Sequence, residues 1–164
     1  MVIAIFLTSK LSNAVIINQN KVEKAVKVLE ALRDADYKNG FPKEMKGDIS
    51  SFGASIIQAG LLPSVLFFSE GEHDKKSAQK AEEEDTKVRR AKLMKVVFDV
   101  LEAPDSSKYA NTRPLLDYIR QHLSNSNAAL DNITEAALAV KVALRAFKFA
   151  EKQTKPSNQD ETTT

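Results

Sequence analysis

The sequence predicts an all-α protein, a compact bundle of five to seven helices with a disordered C-terminal tail. Three observations predict it. Apolar residues recur at three- and four-residue intervals in several separate stretches, the spacing that lines one face of a helix. No convincing pair of strand-like runs occurs. Glycine, proline and asparagine fall between the periodic stretches, where helices stop and start.

Residues 2–17 carry an apolar series from Val2 to Ile17 that fits neither the helical nor the strand period. They form either a helix or an arm packed on the body or on a neighbour, so residues 1–19 stand apart as an N-terminal element. From Asn20 the pattern sharpens. Val22, Val26, Leu29 and Leu32 predict a helix over 20–38, stopped by Asn39-Gly40-Phe41-Pro42. A second helix is expected from about 43 to 59, with Ile49, Phe52 and Ile56 inward. Gly60 then reads as its C-terminal glycine, and Pro63 as a first-turn residue of the next helix. The stretch Ile56–Glu70 thus becomes two buried helices joined at a Gly-Leu-Leu-Pro elbow.

Residues 70–87 hold seven acids against four lysines and almost nothing apolar, the composition of a loop or a solvated helical extension. A helix over 87–102 should turn Val88, Met94, Val97, Phe98 and Leu101 inward. Thr112 and Pro114 announce another, running to about Leu123 and burying Leu115, Leu116 and Ile119. Ser124–Asn132 reads as loop or turn. Asn132 with Glu135 resembles a capping box that opens a last helix over about 133–152. The expected domains are the element 1–19, a bundle over 20–152 and a disordered tail over 153–164.

Composition narrows the chemistry. At 164 residues the chain suits one domain with its own core. It contains no cysteine, which excludes disulfide and thiolate chemistry and leaves nothing to argue for secretion. The apolar run before Thr8 is too short to cross a bilayer and lacks the basic flank of a signal peptide. A cytoplasmic protein without a membrane partner is expected. His73 and His122 have no second ligand three or four residues away, so no metal is expected. No phosphate-binding loop, dinucleotide fingerprint or nucleophile elbow occurs, and no catalytic residue or cofactor is assigned.

The formal net charge is only +2, so a nucleic-acid partner has to be argued from where the charge sits. On the expected last helix Lys141, Arg145, Lys148 and Lys152 are spaced four, three and four apart. On a regular helix they form one stripe within about 60° and roughly 16 Å long, and charges one turn apart, about 5.4 Å, approximate the phosphate spacing of an extended single strand. A second block, Lys87–Lys95, holds Arg89, Arg90 and Lys92 without one acid, and Lys21, Lys24 and Lys27 form a weaker third. With no Trp and the phenylalanines on core faces, backbone binding without sequence readout is the expectation. The plainer reading of any such stripe is the wet face of an amphipathic helix.

The pairing of IIQAGLLPSVLFFSE (Ile56–Glu70) with ITEAALAVKVALRAFKFAE (Ile133–Glu151) resembles the small α-helical subunit of the type III-B CRISPR effector, the Cmr complex. Matching positions are Ile56, Ile57, Gly60, Leu61, Leu66 and Phe67, then Thr134, Glu135, Ala136, Arg145 and, with a small shift, Phe147. The resemblance covers roughly 20–152 in helix order. Pro63-Ser64 stands where the family often has Gln-Thr. The resemblance implies a non-catalytic subunit that stacks in a short filament beside the guide-bearing backbone subunits. Its basic stripe would face target RNA, and Gly60 would keep two core helices close. The equivalent small subunit of the related type III-A complex, similar in fold and role, is an alternative. A free-standing helical adaptor, whose lysines merely solubilise, is the competing reading from another class.

Overall fold

A computed structural model of the chain describes residues 18–70, 81–101, 113–122 and 126–150, the side chains of 81–84 and 126 excepted. The N-terminal element before Asn18, His73 with most of the acidic stretch, Thr112, Leu123 and the tail lie outside the described residues. Six α-helices and no strand are present among those described: α1 Gln19–Asp36, α2 Glu44–Ala59, α3 Leu61–Phe68, α4 Ala81–Val100, α5 Pro114–Gln121 and α6 Ser126–Ala143. The fold is an all-α bundle. None of these helices is long and apolar enough to cross a membrane.

The Asn18 side chain starts α1 by accepting from the amides of Asn20 and Lys21, which fills two of the orphan donors of a helix N-terminus. Its fully buried line is Lys21, Ala25 and Leu29, one residue round from the expected Val22 and Val26, which flank the core. The small Ala25 lets α1 lie close against α6, and Lys21 is tolerated inside because it pairs with Glu135.

Helix α4 is the centre, packing against all five other α-helices. Leu93, Met94, Val96, Val97, Phe98, Val100 and Leu101 are all buried and cover rather more than half of the helix circumference. The remaining side carries Lys92, Lys95 and Asp99. The helix begins at Ala81, so the last third of the acidic stretch is a helical extension. Val88 lies outward, against expectation, because it falls on the same side of the helix as Asp85, Lys92, Lys95 and Asp99, while Arg89 is buried against Asp48 of α2.

Gly60 joins α2 to α3 with φ 90° and ψ 168°, and its amide donates to the Ile56 carbonyl. The positive φ matches the expectation. Close packing does not, because a Cβ built there would meet nothing within 4 Å. Gly60 is needed for its backbone angle alone.

Helix α3 is buried on one side only. Val65 and Phe68 are in the core, Phe68 edge-on to Phe52, and Ser64 is satisfied by Ser55 and the Gly60 carbonyl. Ile57, Leu62, Leu66 and Phe67 are exposed, Ile57 by 87% and Phe67 by 54%. The two helices of the apolar stretch are therefore not both buried as expected, and one phenylalanine lies off the core.

Pro114 occupies the first turn of α5 as anticipated. The expected loop before residue 133 is instead the first two turns of α6. Asn132 lies mid-helix and donates to the Tyr118 hydroxyl, while Glu135 serves Lys21 rather than a cap. The buried side of α6 is largely alanine, with Ala129, Ala136, Ala137 and Ala143 beside Ile133 and Val140. Small residues there allow the backbone to approach α1 and α4.

At its far end α6 stops well short of 152. A 3₁₀ turn over Leu144–Ala146 follows, and Phe147–Ala150 runs extended, forming a single parallel bridge between Phe41 and Phe149. We expect Gly60→Ala to cost about 1–3 kcal/mol through its backbone angle alone. Chemical denaturation should show that loss without a change in helical content.

Candidate nucleic-acid interface

The bridge determines where the basic residues end up. The Phe41 amide donates to the Lys148 carbonyl at 3.2 Å, and the Ala150 amide donates to the Phe41 carbonyl at 2.9 Å. Gly40 makes room for this clasp. Its φ is +108°, and a Cβ there would sit 3.0 Å from the Lys148 oxygen and 3.1 Å from the Ala150 nitrogen. Behind the clasp the Phe41 ring lies between Tyr37, tilted against it at 5.4 Å, and Phe147, edge-on at 5.3 Å. In the extended stretch Phe147 and Phe149 are half-buried on one side while Lys148 points out, as period-two alternation requires.

The stripe expected on one regular helix is thus not formed. Lys141 is half-buried in the last turn of α6, Arg145 is exposed on the 3₁₀ turn, and Lys148 is exposed on extended chain. Once the helix tightens and then opens, the 100° spacing that aligned them is lost. Lys152 lies outside the described residues.

The second block is paired within the fold. Arg89 is buried, with 8% of its side chain exposed, and its Nε donates to Asp48 at 2.6 Å. Arg90 reaches the other oxygen of Asp48 at 3.3 Å and covers the rings of Phe67 and Phe68. Lys92 pairs with Asp36 at 3.0 Å and lies over Tyr37. The acids that pair with Arg89, Arg90 and Lys92 come from α1 and α2, while Lys95 pairs with Asp99 one turn further along α4. Burial pushes the Tyr37 hydroxyl above its ordinary value, an effect that the nearby Lys92 partly offsets. In the third group Lys21 pairs with Glu135, and Lys24 donates to the Leu101 carbonyl. His122 stacks on Tyr118, with its Nδ1 2.8 Å from the Tyr118 carbonyl.

The clasp assembles a different cationic surface. Residues 37–47 carry Lys38, Lys43 and Lys46 with Glu44 as their one acid, and residues 141–150 carry Lys141, Arg145 and Lys148 with none. Lys38, Lys43, Lys46, Arg145 and Lys148 are all exposed. Lys46 holds its ammonium 3.9 Å above the centre of the Phe149 ring, tying the two segments together through the side chains as well. The N-terminal end of α2, with its positive partial charge, lies in the same place. This arrangement can hold phosphates but offers no hydrogen-bonding set that would read bases.

Lys38, Lys43 and Lys46 were not singled out by the sequence because they follow no helical period. The one available signal is Phe147-Lys148-Phe149, whose alternation is that of extended chain. Among the described residues no group of three or more His, Cys, Asp or Glu side chains could hold a metal ion.

Comparison with known proteins brings no match to a family model, a curated protein or a solved structure.

Two outcomes test this geometry. Asp48→Ala should cost about 3–5 kcal/mol, since Arg89 would be left buried without its partner, whereas replacing Asp48 and Arg89 together by apolar residues should recover much of that loss. Gly40→Ala should destabilise more than Gly60→Ala and shift the backbone amide resonances of 148–150, because backbone rather than a flexible side chain stands in its way.

Proposed function

We propose that this chain is the non-catalytic small subunit of a type III-B CRISPR RNA-guided effector complex, acting in the cytoplasm in antiviral defence. It would stack beside the guide-bearing backbone and help hold target RNA by phosphate contacts. The observation that carries the reading is the convergence of two acid-poor segments, 37–47 and 141–150, into one exposed cationic surface. Lys43, Lys46, Arg145 and Lys148 are its main contacts. The outward apolar side of α3 fits a subunit that also meets protein neighbours, other copies in a short filament among them. The corresponding subunit of a type III-A complex has the same requirements.

A second reading is favoured by one observation. Ile57, Leu62, Leu66 and Phe67 leave apolar surface exposed on α2 and α3, which would suit a free-standing adaptor that binds other proteins and no RNA.

Tagged purification from the native host separates the two. Recovery of a multi-subunit complex with short guide RNAs supports the effector subunit; protein partners without RNA replace it with the adaptor. For the RNA contact itself, Lys43→Glu, Lys46→Glu and Lys148→Glu together should weaken binding of the complex to target RNA. They should also flatten the slope of log affinity against log salt by roughly 2, at about 0.7 per phosphate contact on a single strand. An unchanged slope would remove these three lysines from the interface.

A further inference from the structure

Arg113, the residue before α5, carries the one buried side-chain nitrogen or oxygen without a hydrogen-bond partner among the described residues, its Nε. A guanidinium stays charged at any ordinary pH, and a charge sheltered from water without a counter-charge is costly. The other sheltered cations of the bundle are paired, Lys21 with Glu135 and both Arg89 and Arg90 with Asp48. Arg113 forms no ion pair with any described residue.

The space beside Arg113 suits an oxyanion. Ser69, Lys95, Arg113, Pro114 and Leu115 line an opening of about 10 Å³, room for one oxygen atom. Ser69 is buried at the end of α3, whereas Lys95 keeps 62% of its side chain exposed. No side chain caps α5, so the amides of Leu115 and Leu116 have no acceptor within the helix and lie at its positive end. We propose that this opening takes one oxygen of a phosphate group, held by Arg113 and these amides, with the rest of the anion in solvent beside Lys95.

A water in the opening would give Nε an acceptor but leave the charge of Arg113 uncompensated. A phosphate supplies both, and it can place one oxygen inside while presenting another to Lys95. The nearby acids do not take this place. Asp99 pairs with Lys95 at 2.6 Å, Asp117 faces Arg120 at 3.6 Å, and Glu70, next to Ser69, is exposed. Arg113 is therefore the principal counter-charge for the anion. Inorganic phosphate and an RNA phosphodiester offer the same chemistry. Binding of the former does not depend on the role proposed above, and binding of the latter would extend it beyond the lysines of the clasp.

The test follows the Arg113 Nε–Hε signal and the amide signals of Leu115 and Leu116 by NMR of the full chain. Inorganic phosphate is added at constant ionic strength against chloride. Saturable shifts at these groups are the expected result. The thermal midpoint should also rise with phosphate, since binding to the folded state alone stabilises it, and Arg113→Met should lose that part of the rise while keeping the packing of its stem. A short single-stranded RNA forms the second arm: saturable shifts at the same signals identify a phosphodiester as a source, and shifts with phosphate alone identify the free anion. No shift with either probe overturns the proposal. Shifts that do not saturate mean an adventitious ion only and overturn it too, as do amide shifts that persist in Arg113→Met.

Discussion

Two hydrogen bonds between Phe41 and the chain at 148–150 decide how this protein presents its charge. They end the last helix early, turn Lys148 outward and set it beside the first turn of α2. The sequence Arg145–Lys152 contains good helix formers and no glycine or proline, so intrinsic propensity favours continuing α6. Leaving the helix exchanges backbone hydrogen bonds for others at little net change, each being worth only about 1 kcal/mol. What tips the balance is aromatic burial. An extended chain places Phe147 and Phe149 on the same side, against Phe41 and beneath Lys46, where a helix would have separated them by about 200°. Gly40 is the permissive element, since any side chain would stand against the backbone of the clasp.

Asp48 plays the comparable part inside the bundle. One carboxylate on α2 accepts from two adjacent arginines of α4, and the second arginine covers the aromatic pair of α3. The pairing holds α2 and α3 against the central helix and takes Arg89 out of contact with any phosphate. An acid-free run of basic residues is therefore a statement about one segment of chain. Compensation depends on which segments fold against it.

The outward side of α3 and the cationic clasp are built from different side chains. In the proposed role this separation lets protein neighbours and an RNA backbone be held at once, without competing for the same side chains. It also explains the mixed character of the apolar stretch, where Val65 and Phe68 complete the core while Ile57, Leu62 and Phe67 face outward.

Helix existence was determined by the sequence itself, because periodic apolar residues and the punctuation at Gly40, Gly60 and Pro114 act locally. So was the need for a positive φ at Gly60 and the entry of α5. The early end of α6 was decided only in three dimensions, by aromatic partners more than a hundred residues away. The outward side of α4 is marked in its own pattern by Asp85, Lys92, Lys95 and Asp99, a side that Val88 shares, whereas the burial of Arg89 was decided by its partner Asp48 on α2. The candidate site followed the same rule. Of the residues expected to bind, Arg145 and Lys148 reach the cationic surface, Arg89 and Arg90 are taken by Asp48, and Lys43 and Lys46 join through a clasp that no periodicity announces. Local periodicity records which residues can share a helix face, whereas charge exposure is settled by long-range pairing.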